Sequence, residues 1–390
     1  MGLCVLETCS RGGAADLRLC VVSTGSPTYD APPRLGGIQR QIWGMASEYA
    51  RKGHETSLLS RKGLESSAVR GILHHMTVQV GSNNEVLARL SFSKKAARLV
   101  KQLDPDIIEL HERFSAVFPA RIIARKAFFA HNYDAMKFYE GFSRSRNAAN
   151  WIMFPVKNWV EEDCMRRCDV VFSLNGRDRE YLERRRLGRV QQIPNGIDPT
   201  LYRQGPDGGY ILFVGRLDRV KGIDIMTQMF EKLAQETDID LHVVGGGPLL
   251  SEIMSWRSRA GLADRVKILG WISFDHLREE FAHSSFLILP SFYETFGIVT
   301  LEAMASGKPV VASRIPGPEE VVRHGVSGFL FTPRSAEDLT VYCRLLAGDR
   351  VLRTQLGRNA RSDVERSYTF DAVSSEVLHT YEKILSPGET

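Results

Sequence analysis

The chain has 390 residues, of which 43% are hydrophobic and 25% are charged, as in an ordinary globular protein. This length exceeds what one hydrophobic core usually serves and therefore predicts two domains. The formal net charge is only +5, and Lys and Arg are scattered among Asp and Glu, which argues against a nucleic-acid-binding protein.

Residues 1–16 are predicted to form a flexible extension. Residues 1–15 have too short an apolar core for a signal peptide and lack the hydroxyl residue at position six that N-myristoylation prefers. The sequence contains no apolar run of about 18 residues, the length that a transmembrane helix needs. Of the six cysteines, Cys164 and Cys168 form a C-x3-C pair, but no second pair completes a metal site. These features favour a reduced, cytoplasmic setting.

From Leu17 onward, short runs rich in β-branched residues alternate with longer amphipathic segments. The strand-like runs in this part are LRLCVVST, HETSLLSRK, DPDIIELH, AFFAHN, CDVVFSLN and VQQIPNG. This alternation is typical of a parallel sheet flanked by helices.

The alternation restarts after Asp198 and the turn-rich segment at residues 203–209. Five more buried-strand candidates follow, namely YILFVGRL, DIDLHVVGGG, RVKILGW, SSFLILPS and KPVVASR. We therefore predict an α/β protein with two Rossmann-like doubly wound domains, residues 17–196 and 197–368, facing each other across a cleft.

Residues 370–387 predict an amphipathic helix that no strand follows. Because its apolar face must be buried somewhere, we expect residues 369–390 to form a helix that crosses back to the N-terminal domain, followed by a tail.

The segment FYETFGIVTLEAMASGKPVVAS, residues 292–313, contains two glutamates eight positions apart, Glu294 and Glu302. It follows the strand candidate SSFLILPS, and open parallel sheets bind ligands beyond the carboxyl ends of their strands. Glu302 lies about five residues into the predicted helix, or roughly 7 Å along its axis. That distance separates a diphosphate from its ribose, so Glu302 can accept hydrogen bonds from the ribose while Glu294 faces the sugar. The alternative is that Glu294 caps the helix and Glu302 is a solvated surface charge.

The loop between the two glutamates predicts an anion site. It contains Thr295, Phe296 and Gly297, and the helix should begin at about Ile298. Free N–H groups in the first turn of a helix, beside a glycine that admits close approach, suit a phosphate.

Two glycine-rich segments follow strand candidates in the same half of the chain. VGRLDRVKG, residues 214–222, offers Arg216 and Lys221 beside Gly215, and cations there can neutralise a departing diphosphate. VVGGGP contains Gly246, where the backbone can approach a ligand, although such a segment is as often only a tight turn.

With these motifs, the chain resembles the retaining, nucleotide-sugar-dependent family-4 glycosyltransferases of the GT-B fold. The resemblance extends from Leu17 to Ile384, and its most specific parts are IPNGID, GRLDRVKG, GGGP, YETFGIVTLEAMASGKPVVAS and HGVSGFL. It implies an N-terminal acceptor-binding domain and a C-terminal nucleotide-sugar-binding domain. It also implies that Arg216 and Lys221 clamp the diphosphate, that Glu294 lies beside the donor sugar and that Glu302 binds the ribose.

The resemblance extends to two places in the first domain. The segment at residues 34–55 resembles the glycine loop and first helix of the family, in which the amides of Gly36 and Gly37 would reach the diphosphate or the acceptor. The alternative is a flexible turn. His131, in FFAHNYD, matches the histidine that the family places near the donor sugar and the reaction, whereas a lone histidine is more often a packing residue.

Two departures from the family pattern affect the expected pockets. Residues 313–322, SRIPGPEEVV, have a different loop before the proline–glutamate step, so we expect the pocket around the sugar or diphosphate to differ from that of the family. In ELHERF, Glu109 replaces the first histidine of the His-x-His strand end that is frequent in the family. This replacement affects the acceptor contacts.

The resemblance implies a retaining transfer of a sugar from a UDP- or GDP-sugar to a hydroxyl acceptor, which is a glycan, a lipid-linked molecule or a small molecule. We expect no cofactor and no metal, because two cations and a helix N-terminus neutralise the diphosphate. Two alternative functions would use the same charged residues. One is a nucleotide-sugar epimerase or phosphorylase, and the other is a noncatalytic nucleotide-sugar-binding module.

Residues 91–103, SFSKKAARLVKQL, combine basic and apolar side chains. They predict either a weak peripheral contact with an anionic membrane at its inner face or a solvated helix on the outside of the domain.

Overall fold

The structure, a computed structural model, describes residues 16–23, 37–60, 73–78, 80, 85–111, 116–131 and 148–386. In these residues two all-parallel sheets are flanked by helices, which confirms the predicted fold class. Gly36 and the extension at residues 1–15 lie outside the described residues.

The first sheet has seven strands in the order β3-β2-β1-β4-β5-β6-β7. The strands are β1 (Arg18–Val22), β2 (Glu55–Ser60), β3 (Leu73–Thr77), β4 (Ile107–His111), β5 (Arg125–Ala130), β6 (Val170–Ser173) and β7 (Val190–Gln192). The helices are α1 (Gly37–Arg51), α2 (Glu85–Leu103), α3 (Ala148–Arg166) and α4 (Gly176–Arg184). The strand order reverses between β1 and β4, the kind of position where open parallel sheets bind ligands.

The second sheet has six strands in the order β10-β9-β8-β11-β12-β13. They are β8 (Tyr210–Val214), β9 (Asp240–Val244), β10 (Val266–Gly270), β11 (Phe286–Leu289), β12 (Val310–Ser313) and β13 (Gly328–Phe331). Its helices are α5 (Ile223–Leu233), α6 (Leu250–Arg259), α7 (Phe274–His283), α8 (Ile298–Ala305), α9 (Pro316–Val321), α10 (Ala336–Gly348) and α11 (Arg350–Ser367). Every residue of β11, β12 and β13 is buried, because helices cover both faces of the sheet.

The sequence patterns do not predict β3 and β13, each of which is one edge strand of its sheet. The sequence of β3, LHHMT, contains two histidines in five residues, and β13 has only four residues and begins with a glycine. The two histidines obscure the strand pattern of β3, and β13 lies within HGVSGFL, where two glycines are typical of a turn. Each strand forms by pairing with a single neighbouring strand.

The last helix, α12 (Phe370–Leu385), packs on the first domain. Its buried face includes Val373, Val377 and Tyr381, which share one core cluster with Leu19 and Tyr49. The chain reaches this position beside the start of the second domain, where the Ile197 N–H donates to the Tyr368 carbonyl at 2.8 Å. The second half of the chain therefore contributes an element to the core of the first domain.

The basic segment at residues 91–103 belongs to α2. Its apolar side chains Phe92, Ala96 and Val100 are fully buried in the core of the first domain, whereas Lys94 and Arg98 are exposed. The apolar side chains that a membrane contact would need are thus used in the domain core. Among the described residues, no helix combines the length and the hydropathy needed to cross a membrane.

Candidate active site

The carboxyl ends of β8 and β11 bring Lys221 and Glu294 together. The Lys221 Nζ lies 2.5 Å from the Glu294 Oε1, and the Ser291 Oγ donates to the same oxygen at 2.8 Å. Both charged side chains retain some exposure, 23% for Lys221 and 12% for Glu294. An ammonium group has three N–H donors, so Lys221 can bind an anion while it holds Glu294.

Arg216 lies on the same loop and is more exposed. Its Nε is 3.2 Å from the Asp218 Oδ2, and 56% of its side chain is accessible. Asp218 also caps the short 3-10 turn at residues 219–221 by accepting from the backbone N–H of Lys221. One carboxylate thus orders the loop that carries both predicted cations, while the Arg216 guanidinium stays accessible to a ligand.

The N-terminus of α8 lies at the same edge of the sheet. The helix begins at Ile298, as the sequence predicts, and Gly297 precedes it with φ of 79°. A left-handed conformation of this kind is easy only for glycine. Among the described residues, no side chain caps this helix. The positive end of the helix dipole therefore remains available to an anion.

The glycines after β9 make close backbone contacts. A Cβ on Gly245 would lie 1.9 Å from the carbonyl oxygen of Gly215. The ends of β8 and β9 can therefore lie this close only because position 245 has no side chain. A Cβ on Gly246 would lie 2.5 Å from the Trp271 Nε1. Because Trp271 is exposed and its side chain can shift, packing requires glycine less strictly at position 246 than at position 245.

Glu302 is buried and bonded to residues from both halves of the chain. Its Oε1 lies 2.6 Å from the Nη1 of Arg40, on α1 of the first domain, and accepts from the Tyr202 hydroxyl at 2.9 Å. Only 3% of the Glu302 side chain is exposed. The Arg40 guanidinium also lies 4.9 Å from the centre of the Phe274 ring. A ribose bound to Glu302 would therefore have to replace or join an interdomain ion pair.

Further contacts place the two domains against each other beside the α8 N-terminus. A Cβ on Gly37 would lie 2.9 Å from the Ile298 Cγ2, so α1 starts directly against α8. The Asn175 side-chain amide donates to the Thr295 carbonyl at 2.8 Å, and Phe296 is buried in the second core. The residues between the two glutamates are thus held partly by the first domain.

The atypical segment at residues 313–322 also contacts the first domain. It forms the end of β12 and the short helix α9, in which the Glu320 carboxylate accepts from the Gly176 N–H and the Gln192 side-chain amide, both at 2.8 Å. A Cβ on Gly317 would lie 2.8 Å from backbone atoms of Phe296. This segment therefore supports the loop that precedes α8.

His131 directly follows β5, at the edge of the first sheet. Its Nε2 lies 2.8 Å from the Nδ1 of His111, and the His111 Nε2 lies 2.6 Å from the Glu109 Oε1. Burial lowers the pKa of His131 well below its ordinary value. His131 is therefore neutral at physiological pH. Among the described residues, its hydrogen bond is to His111 and not to the Lys221–Glu294 pair.

Several residues that shape this region are not identifiable from the sequence. Arg40 lies inside the motif resembling the family's first helix, but a single charged residue gives no signal that its partner is Glu302. Asn175 has the pattern of a helix N-cap, and it does cap α4, yet its second bond crosses to Thr295. Only the approach of the two domains reveals these partners.

Two of the predicted site residues, Ile298 and Glu302, line a small cavity of about 30 Å³ together with Arg40 and Phe274. A cavity of about 700 Å³ lies behind the cation loop, and its lining includes Asp218, Ile223, Trp256 and Phe292. None of the predicted site residues belongs to that lining. In the described part of the chain, no group of three or more His, Cys, Asp or Glu side chains is arranged to hold a metal ion.

Two family models match the chain, one in each half. The model described as "Glycosyltransferase Family 4" matches residues 35–201, and the model described as "Glycosyl transferases group 1" matches residues 203–363. An uncharacterized glycosyltransferase of Methanocaldococcus jannaschii is 31% identical over 175 residues. This alignment covers 45% of the chain and 45% of that relative, so the chain spans about half the length of the protein it matches.

Solved structures with the same fold match nearly the whole chain. A sucrose-phosphate synthase from Thermosynechococcus elongatus superposes with a TM-score of 0.81 at 20% identity, covering 95% of this chain and 100% of that one. The Anabaena protein HepE in complex with UDP-glucose superposes with a TM-score of 0.72 at 19% identity, covering 94% and 100%. These similarities extend over both domains.

Proposed function

Because the chain belongs to the family-4 glycosyltransferases, which have the GT-B fold, we propose that it transfers a sugar from a nucleoside-diphosphate sugar to a hydroxyl acceptor with retention of configuration. The observation that carries this proposal is the pairing of Lys221 with Glu294 at the sheet edge, next to the uncapped start of α8. It combines a cation, a carboxylate and a helix dipole where a donor diphosphate and its sugar would lie.

In this proposal the protein acts mainly by stabilising the leaving group. As the bond between the sugar and the diphosphate breaks, negative charge accumulates on the phosphate oxygens and the anomeric carbon becomes cationic. Lys221, Arg216 and the first N–H groups of α8 stabilise the departing diphosphate, and Glu294 lies beside the cationic sugar. The departing phosphate takes the proton of the acceptor hydroxyl, so the mechanism needs no separate base.

The donor nucleotide is proposed to be UDP or GDP. The UDP-glucose bound by HepE supports a UDP-sugar as the first donor to test. Glu302 would bind the ribose hydroxyls after Arg40 moves away from it or shares its carboxylate. We also propose that transfer needs no metal, because Arg216, Lys221 and the helix N-terminus supply the positive charge.

A donor screen tests the proposal. The purified protein is mixed with UDP- and GDP-sugars, with and without a panel of sugar, cyclitol and lipid-linked acceptors, and the released nucleoside diphosphate is measured. We expect release that depends on acceptor, an α- or β-linkage identical to that of the donor, and the same rate with EDTA.

The screen also separates the alternatives. Interconversion of the donor sugar without an acceptor would indicate an epimerase, and dependence on inorganic phosphate would indicate a phosphorylase. Donor binding by calorimetry without turnover on the whole panel would favour a noncatalytic module. A product with inverted configuration would contradict the retaining mechanism alone.

A further inference from the structure

We propose that Glu109 and His111 are positioning residues that hold His131 with its proton on Nε2, so that Nδ1 accepts a hydrogen bond from a substrate hydroxyl. This inference rests on the proposed function, because it takes His131 as the residue beside the transferred sugar. It gives a role to two side chains that the sequence identifies only as a departure from the family's His-x-His strand end.

The three residues form a continuous buried chain. Glu109 and His111 lie on β4, and His131 follows the neighbouring strand β5. The side chains are joined at 2.6 Å and 2.8 Å, and Glu109 and His111 are each only 1% exposed. The second oxygen of Glu109 accepts from the Tyr381 hydroxyl of α12 at 2.7 Å. Both oxygens of the carboxylate are thus occupied.

The order of donors follows from the chemistry of the carboxylate. An ionised carboxylate only accepts hydrogen bonds, so the Nε2 of His111 carries the proton toward Glu109. We take His111 as neutral, so that its Nδ1 is the acceptor and the Nε2 of His131 donates to it. In this tautomer the remaining nitrogen of His131, Nδ1, is a hydrogen-bond acceptor. A chain of two bonds therefore selects one tautomer of His131.

The neighbouring rings limit the orientation of the same histidine. The His131 and His111 ring centres are 5.0 Å apart with planes inclined by 16°, so the two rings lie nearly edge to edge in one plane with the 2.8 Å hydrogen bond between them. Phe129 stacks on His111 at 4.8 Å, and rotation of the His131 ring out of the common plane would break its hydrogen bond. Position and tautomer are thus set by groups that need not touch the substrate.

The arrangement also gives a reason for the glutamate at position 109, where the family often has a histidine. A histidine at this position could either donate or accept a hydrogen bond, whereas an ionised carboxylate only accepts, so the glutamate sets the direction of the hydrogen bonds. Tyr381 further ties this carboxylate to the helix that crosses back from the second half of the chain.

Two variants of His111 separate positioning from packing. In His111→Asn, the amide oxygen can still accept from the His131 Nε2, whereas His111→Leu fills similar space without an acceptor. We expect His111→Leu to lower kcat by about 10- to 100-fold with little change in the donor KM. His111→Asn should recover most of this loss.

The matched control is His242→Leu in the second domain. His242 is also buried, and its Nδ1 lies 2.7 Å from the Glu280 Oε2. His242→Leu should lower the melting temperature, as His111→Leu does, but it should leave kcat unchanged. Equal kcat losses in the control and in His111→Leu, or no recovery in His111→Asn, would overturn the proposal.

The tautomer is measured independently of activity by nitrogen-15 NMR of the imidazole rings. The chain has 10 histidines, so the His131 signals are assigned by their loss in His131→Gln. We expect a neutral ring protonated at Nε2 in the wild type and a mixture of tautomers in Glu109→Leu. A ring protonated at Nδ1 in the wild type would disprove the proposed order. Failure of the donor screen would contradict the proposed function without affecting this measurement.

Discussion

Glu294 and Glu302 are eight residues apart in the chain, but the structure holds them in different ways. Glu294 lies on a loop and pairs with Lys221 and Ser291 of its own domain. Glu302 lies inside α8, is almost fully buried, and pairs with Arg40 of the other domain and with Tyr202.

The second domain alone builds the site around Glu294, whereas the site around Glu302 needs both domains. The distance between Lys221 and Glu294 is independent of how far the domains open, because both residues follow strands of one sheet. The ion pair of Glu302 breaks when α1 moves away from α8. We therefore expect the Glu294 region to be preformed and the Glu302 region to depend on closure of the cleft.

The largest expected effect is that of Glu294→Gln on sugar transfer. The change removes the charge beside the cationic sugar while keeping the shape of the side chain, and kcat should fall about 100-fold or more. Nucleoside diphosphate affinity should stay nearly the same. The control is Glu236→Gln, which removes one partner of an exposed ion pair with Arg344. Unchanged transfer in Glu294→Gln would remove this carboxylate from the reaction.

Lys221→Ala should weaken binding itself. A bond between an ammonium and a phosphate contributes about 1.5–3 kcal/mol, so the Kd of the nucleoside diphosphate should rise roughly 10- to 100-fold. Isothermal titration calorimetry measures it, with Lys232→Ala on the exposed side of α5 as control. If affinity did not change, Lys221 would only position Glu294.

Glu302→Ala should erase the preference for ribose over 2′-deoxyribose. In the wild type, loss of the 2′-hydroxyl leaves a buried carboxylate lone pair without a partner and should weaken binding by about 1–3 kcal/mol. The measurement compares UDP with 2′-deoxy-UDP, and GDP with its deoxy form, in the wild type, Glu302→Ala and Glu294→Gln. Equal sensitivity of both variants to the 2′-hydroxyl would contradict the different roles of the two glutamates.

The smallest expected effect is the coupling between Arg40 and Glu302 in the free protein. Unfolding free energies of Arg40→Gln, Glu302→Gln and the double variant should give a coupling of about 0.5–3 kcal/mol. Saturating nucleoside diphosphate should reduce this coupling, because the ribose then competes with Arg40 for the carboxylate. A coupling that the nucleotide leaves unchanged would place the ribose elsewhere.

Much of the second domain could be predicted from its sequence. Strand runs such as FLIL and VVAS are largely apolar and fully buried because both faces of the sheet are covered, and the start of α8 follows from Gly297. The cation loop, the glutamates and the glycines are close together in the chain or at the ends of adjacent strands. Local patterns therefore indicate which of these residues lie at one edge of the sheet.

The first domain was harder to predict, because its polar residues act through distant partners. Glu109 was recognised only as a departure from a family pattern, yet it accepts from His111 and from Tyr381, which is 272 residues away in the chain. Gly36 and part of the glycine loop lie outside the described residues. The proposed roles of the site residues remain predictions in both domains.

The sequence by itself determined the fold class, the family and the positions of the charged residues, because strand periodicity, glycine-rich turns and motif spacing are local properties. Only the tertiary structure decided which charges pair: Lys221 with Glu294 across two loops, Arg40 with Glu302 across two domains, and His131 with His111 and Glu109 across two strands. The physical reason is that a hydrogen bond or an ion pair depends on distances of about 3 Å between atoms. Chain folding sets such distances, and residue spacing does not.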